Sequence, residues 1–270
     1  MKTVSRIYLF LIFLFLYAPI VVLIIFSFND SAVASRSVFS GFSLRWYSTL
    51  FQDGMLLSAL RNTLIIAVIA AIVSTVLGTA AAIGISGMNK WMRRAVMNVT
   101  NFPMVNPDIV TGVSLMLLFV AGTRVLGGAS LGMASLIFAH ITFCLPYVIL
   151  SVMPKLRQMD PNLSEAARDL GCPPLAAFFR VVLPEIAPGI VTGLIMSFTL
   201  SIDDFVVSYF TSGTTQTLPI FIYSMTRKRV SPEINALSTC LFGIILVLLL
   251  VINMRTAKDT KRIQTSAKEV

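Results

Sequence analysis

At 270 residues, 56% hydrophobic and only 12% charged, with a mean hydropathy of +0.86, the chain is far more apolar than soluble domains, where about 25% of residues are charged. That excludes a soluble enzyme or binding module and defines an integral membrane protein. The net charge of +9 is spread over loops and a tail without a folded basic module, so anionic lipid is its counterpart rather than nucleic acid.

Apolar runs predict six spans, near 7–28, 62–86, 99–121, 131–153, 186–210 and 235–254; about 20 helical residues cross a hydrocarbon core of about 30 Å. Assigning the N-terminus, loops 87–98 and 154–185, and the tail after 254 to one side collects 14 of the 21 Lys and Arg there. The positive-inside rule then places both termini and the 154–185 segment in the cytoplasm. No linker, low-complexity tract or internal repeat divides the chain, so 1–270 reads as one transmembrane domain.

The first run, Ile7 to Phe28, is longer than a signal-peptide core, although Ala32-Val33-Ala34 imitates a cleavage site; it reads as an uncleaved span. Trp46 and Tyr47 in the outer loop suit a short interfacial helix. The second span is rich in small residues (Ala67, Ala70, Ala71, Ser74, Gly78) that let helices approach closely. Pro103, Pro107 and Asp108 crowd the start of the third span. Asp108 reads first as a helix cap that complements the dipole and second as a solute contact. In the fourth span His140 reads as a hydrogen-bonded partner of an adjacent helix, with proton relay as the alternative, and Pro146 predicts a kink.

The cytoplasmic segment 160–184 is polar between apolar blocks. Asp160 fits an N-cap, Pro161 the first helical position and Gly171 the residue just past a helix end. Leu163, Ala166, Ala167 and Leu170 share one face of this helix, which is too short to stand alone. A second short helix is predicted from Pro173 or Pro174, stopping before Pro184. In the fifth span Asp203 and Asp204 are costly in lipid. On a helix, adjacent residues point about 100° apart, so one faces a path while the other caps or pairs. Two carboxylates there favour a cationic solute over an oxyanion, with a structural hydrogen-bonding role as the alternative. Region 211–234 is too polar to span and reads either as a short amphipathic or partly re-entrant element or as a plain extracellular helix, carrying Tyr223 and the Arg227-Lys228-Arg229 cluster. Cys144 and Cys240 fall in spans and Cys172 in the cytoplasmic loop, a pattern of reduced or buried thiols without metal-ligand spacing.

No phosphate-binding Gly-x-x-x-x-Gly-Lys-Ser/Thr loop, hydrolase elbow or zinc-protease motif occurs. Energy for active transport therefore has to come from another chain. The spacing Glu165-Ala166-Ala167, Gly171, Val181, Leu183-Pro184 resembles the EAA loop of ABC-importer permeases, with Val181 where that pattern usually has Ile. Further stretches (SFNDS at 27–31, SLRWYSTLF at 43–51, NPDIVTGVSL at 106–115, HITFCLPYV at 140–148, SFTLSIDDFVVSYF at 197–210 and IYSMTRKRVSPEINAL at 222–237) resemble bacterial spermidine/putrescine importer permeases of the PotC type.

The resemblance implies an all-α membrane protein with six transmembrane helices of the type I ABC importer permease fold and a cytoplasmic EAA coupling helix. It implies pairing with a homologous permease, two ATPase subunits at the cytoplasmic face, and an extracytoplasmic polyamine-binding protein. The chain itself would bind no cofactor or metal and catalyse nothing, ATP and Mg being held by the ATPase. Glu165, Ala166, Ala167, Asp169, Gly171, Leu183 and Pro184 are the implied coupling residues. Asp203, Asp204, Tyr223 and Asp108 are candidates for the solute path. An ion-coupled secondary transporter, a scaffold that only holds a soluble partner, and an importer for another small cationic or organic solute stay open as alternatives.

Overall fold

In lipid a backbone has no hydrogen-bond partner but itself, so long apolar runs fold as helices. A computed structural model of the chain describes residues 2–30, 39–126, 131–160, 162–228, 233–243 and 246. In chain order the elements are α1 (Lys2–Ser27), α2 (Arg45–Gln52), α3 (Gly54–Ser86), α4 (Lys90–Val105), α5 (Asp108–Leu126), α6 (Met133–Gln158), α7 (Leu163–Asp169) and α8 (Pro174–Ala177). A π-helical turn (Phe178–Val182), α9 (Leu183–Asp203), α10 (Val206–Thr211) and α11 (Leu218–Lys228) follow. Residues 233–243 form α12. Among the described residues five helices are long and apolar enough to cross a membrane: Arg6–Ser27, Gly54–Ser86, Asp108–Val125, Met133–Gln158 and Pro174–Asp203. The rest of the predicted 235–254 span, Ala32-Val33-Ala34, Pro161, Arg229 and the basic tail lie outside the described residues.

Several predicted bounds move for physical reasons. The second span starts earlier, at Gly54. The predicted third span, 99–121, is two helices, because Pro107 cannot donate and pushes Asn106 into extended backbone (φ −71°, ψ 142°). The fifth ends at Asp203, with Asp204 extended (φ −68°, ψ 116°), and α10 restarts the chain beyond it. α6 runs without a break through Pro146 and Pro154.

The chain forms two compact units, Met1–Leu56 with Ile222–Val270, and Leu57–Phe221. In the first, α2 is tied to the end of α1. Trp46 Nε1–H donates to the Asn29 carbonyl at 2.9 Å, and the Ser27 and Tyr47 hydroxyls share a bond of 2.7 Å. Phe28 stacks on Phe42 with centroids 5.2 Å apart, beside the bridge between Asn29 and Phe42. The predicted interfacial helix is thus a braced element.

In the second unit α3, α6 and α9 enclose a core of Ala82, Ile85, Val148, Ile149, Val152, Met153 and Ile186, with Val96 and Met97 of α4 against it. Leu115 of α5, Ala139 of α6 and Val207 of α10 form another cluster. Many of the small residues of α3 bury: Ala67, Ala70, Ala71, Ser74 and Ala82 are inaccessible or nearly so, whereas Ala80 and Gly84 are exposed. A close approach of α9 to the α6 backbone rests on Gly189. A Cβ there would lie 2.9 Å from the Ser151 carbonyl oxygen and 3.2 Å from Val152 Cα. Gly to Ala inside a helix ordinarily stabilises by about 1 kcal/mol, but overpacking against backbone costs about 1–3 kcal/mol. Gly189→Ala is therefore expected to lower the thermal midpoint of the purified protein; a raised midpoint would show the contact to be loose.

Candidate coupling surface and acidic helix breaks

The coupling segment is built by its turn. α7 ends at Asp169, Leu170 is the C-cap, and Gly171 follows with φ +86°. Cys172 N–H donates to the Ala167 carbonyl at 3.1 Å and Gly171 N–H to that of Arg168 at 2.9 Å. These are the paired bonds of a Schellman end, which requires the left-handed residue that glycine supplies. At the other end the described helix begins at Leu163, after Asn162. Asp160 accepts the Asn162 N–H through Oδ1 at 2.9 Å, an Asx turn that leads the chain into the helix.

The predicted stop before Pro184 does not occur. Leu183 N–H bonds to the Phe178 carbonyl across the π turn, and α9 continues through Pro184 in its first turn. In an α-helix the proline ring would meet the Arg180 carbonyl; a widened turn just before it relieves that clash.

No residue of α7 is buried. Leu163 and Leu170 of the apolar stripe read from the sequence are exposed, Leu170 by 89%, and beyond it Leu175 and Phe179 stand 75% and 60% exposed. Glu165, Asp169 and Gly171 join Arg168 and Cys172 around an open hollow of about 510 Å³. Ala166 is exposed and Ala167 half-buried on the same helix. Leu183 instead packs against the core beside Ile186, with Pro184 exposed. Arg168, Leu175 and Phe179 are not positions of the motif.

The acidic candidates sit at helix breaks. Asp108 is exposed in the first turn of α5, where its charge complements the helix dipole. Asp203 closes α9 and is exposed. Asp204 has left the helix, so the two diverge through a chain break rather than through helical rotation. Its side chain is only 6% exposed and caps α10: Oδ2 accepts the Ser208 N–H at 2.8 Å and Oδ1 that of Val207 at 3.3 Å. α5 and α10 pack closely, since a Cβ at Gly112 would lie 2.9 Å from Phe210 and 3.4 Å from the Val206 carbonyl. Tyr223 belongs to α11 in the other unit and is 43% exposed.

His140 is buried and meets two helices at once. Nδ1 lies 2.7 Å from Ser201 Oγ on α9, and Nε2 lies 2.9 Å from Ser208 Oγ on α10. Asp204 Oδ2 is 3.6 Å from Nε2. The hydrogen-bonded reading of His140 holds; its serine partners, spaced along a helix and past a break, had no local signal.

Broken apolar helices with carboxylates at the breaks, and an exposed helix–turn segment between two spans, define a polytopic membrane permease. Over residues 74–257 the chain matches the binding-protein-dependent transport system inner membrane component family, and it belongs to that family. It is 42% identical over 234 residues to the putrescine transport system permease protein PotI of Escherichia coli K12, covering 86% of this chain and 83% of that protein. It is 38% identical to the spermidine/putrescine transport system permease protein PotC of the same strain, over 93% of this chain and 92% of that one. The fold is shared with a bacterial ABC transporter involved in alginate import (TM-score 0.71, 14% identity, 94% of this chain and 95% of the other).

Proposed function

We propose that this chain is one of two homologous permease subunits of an ATP-driven polyamine importer for spermidine or putrescine. The observation that carries this reading is identity of 38–42% to polyamine permeases across most of both chains. ATPase subunits dock on α7 and the π turn, where Leu170, Leu175 and Phe179 need a partner to leave water. Glu165, Ala166, Ala167, Asp169 and Gly171 form the contact, while Leu183 and Pro184 root it in α9. Both termini face the cytoplasm, and an extracytoplasmic binding protein delivers solute to the other face. ATP and Mg are held by the ATPase, and this chain holds no cofactor.

The solute-side chemistry fits a polyammonium ion. Asp203 supplies charge, and Phe205 and Tyr209, with centroids 5.5 Å apart, supply aromatic faces directly after the break, which suit ammonium groups leaving water. Asp108 adds charge from α5, and Tyr223 is carried on α11. In the working cycle, ATP-driven closure of the ATPases moves the docked α7. Because α7 is joined to α6 and α9, the motion reaches the break at Asp204 and alternates access to the path.

The test is uptake by proteoliposomes containing this chain and its co-purified partners, with and without ATP at the ATPase face. ATP-dependent spermidine or putrescine uptake that disappears without the ATPase is expected. Uptake by the chain alone on an ion gradient would replace this reading with a secondary transporter, and partner binding without flux with a scaffold. ATP-dependent uptake of a different solute would discard polyamines only.

A further inference from the structure

We propose that His140 is a positioning residue for transport: from α6 it clamps both sides of the α9–α10 break and so fixes the direction in which Asp203 is presented. The inference rests on the importer reading for its functional consequence but on the chain's own geometry for the clamp.

A break in a helix within lipid exposes backbone groups that need partners, and it needs an external reason to hold one angle. No proline or glycine marks Asp204-Phe205, so the local sequence does not enforce this break. Asp204 satisfies the first amides of α10, which stabilises the restart but leaves its direction relative to α9 open. His140 supplies the missing constraint. Its two ring nitrogens, fixed in one plane, reach Ser201 before the break and Ser208 after it. A neutral imidazole donates at one nitrogen and accepts at the other, and hydroxyls do either, so both contacts are satisfied whichever tautomer is present.

The ring is itself immobilised by burial, as are Ser201 and Ser208. Ser208 is also the residue whose N–H is held by Asp204. Ring, two hydroxyls and carboxylate thus form one connected network around the break, with Asp203 at its exposed edge. Leucine in place of His140 would fill the space and leave the buried Ser201 and Ser208 hydroxyls without their imidazole partner. Glutamine reaches the Nε2 position and retains the bond to α10.

The experiment compares His140→Leu, His140→Gln and Ser208→Ala in the assembled importer. Uptake half-saturation is measured alongside binding-protein-stimulated ATP hydrolysis. His140→Leu is expected to raise half-saturation roughly tenfold, the scale of an unmet buried polar partner, while stimulated hydrolysis is retained. His140→Gln should stay within about threefold of wild type on the same scale. A His140→Leu complex with wild-type half-saturation overturns the clamp, as does a loss of turnover and hydrolysis together in both His140 variants. If His140→Leu does not assemble, Ser208→Ala decides: a raised half-saturation supports the clamp and an unchanged one overturns it.

A wild-type complex that takes up no polyamine would sink the solute assignment alone. Amide hydrogen exchange at Val207 and Ser208, which needs no solute, then reads the clamp. Faster exchange in His140→Leu, or in Ser208→Ala where the former does not assemble, supports it, and wild-type exchange overturns it.

Discussion

Gly171→Val is expected to separate ATP hydrolysis from transport in the assembled importer. Nothing lies within 4 Å of a Cβ built at Gly171, so the substitution meets no neighbour and its whole effect is on the backbone. At φ +86° an L side chain costs about 1–2 kcal/mol, and a β-branched one is the least tolerated there. α7 has 7 residues, too few to persist without its ends fixed. Removing the Schellman turn therefore releases both α7 and the direction in which the chain enters α8. A bias of about 1–2 kcal/mol shifts a local equilibrium by a factor of roughly 5–30, enough to empty the docking-competent state. Solute moved per ATP hydrolysed should fall by about tenfold on that scale. Gly171→Asn, whose short polar side chain tolerates the left-handed region, should keep most of the coupling. Reconstituted transport and hydrolysis measured on one preparation check this. A fully coupled Gly171→Val complex would mean the turn is not what transmits force.

That turn was legible before any coordinates, because Asp-Leu-Gly-Cys after an amphipathic stretch states its own backbone requirement. The exposed face of α7 was legible too, since Leu163, Ala166, Ala167 and Leu170 share a helical side. Pro107 announced the first break, although apolar content alone ran the span across it from 99. The second break was not readable. SIDDFVVSY carries no breaker, and the extended residue at Asp204 is held by amides beyond it and by His140, 61 residues from Ser201. Pro184 misled in the opposite direction: a proline was read as a stop, and a π turn carries the chain through. By local pattern Gly189 is one more small residue in an apolar span. Its meaning lies in the Ser151 carbonyl of another helix, which local pattern does not report. Local backbone chemistry was thus readable, whereas features fixed by contacts between distant segments were not.

The neighbouring carboxylates should respond differently to the same substitution. Asp203→Asn removes charge from an exposed group at the end of α9 with no hydrogen bond shown to depend on it. Complex yield and thermal midpoint are expected to stay at wild type. Half-saturation for polyamine uptake should rise, because a charged hydrogen bond contributes about 1.5–3 kcal/mol, or roughly ten- to a hundredfold in affinity. The rise should be larger for spermidine than for the less highly charged putrescine. Asp204→Asn instead changes a buried cap. Asparagine offers one acceptor oxygen where the carboxylate uses one for Val207 and the other for Ser208, and its amide donor faces an amide N–H. Leaving one buried donor unmet costs about 1–3 kcal/mol, a large share of a membrane domain's margin. Its deficit should appear first as lower yield and a lower thermal midpoint. Saturation curves and melting curves for the two variants decide the matter. A stable Asp204→Asn complex with raised half-saturation, beside an Asp203→Asn complex with none, would reverse the assignment and place the buried carboxylate on the path. Such a reversal would require α10 to swing away from His140 during the cycle, since the carboxylate is shielded while that network is closed.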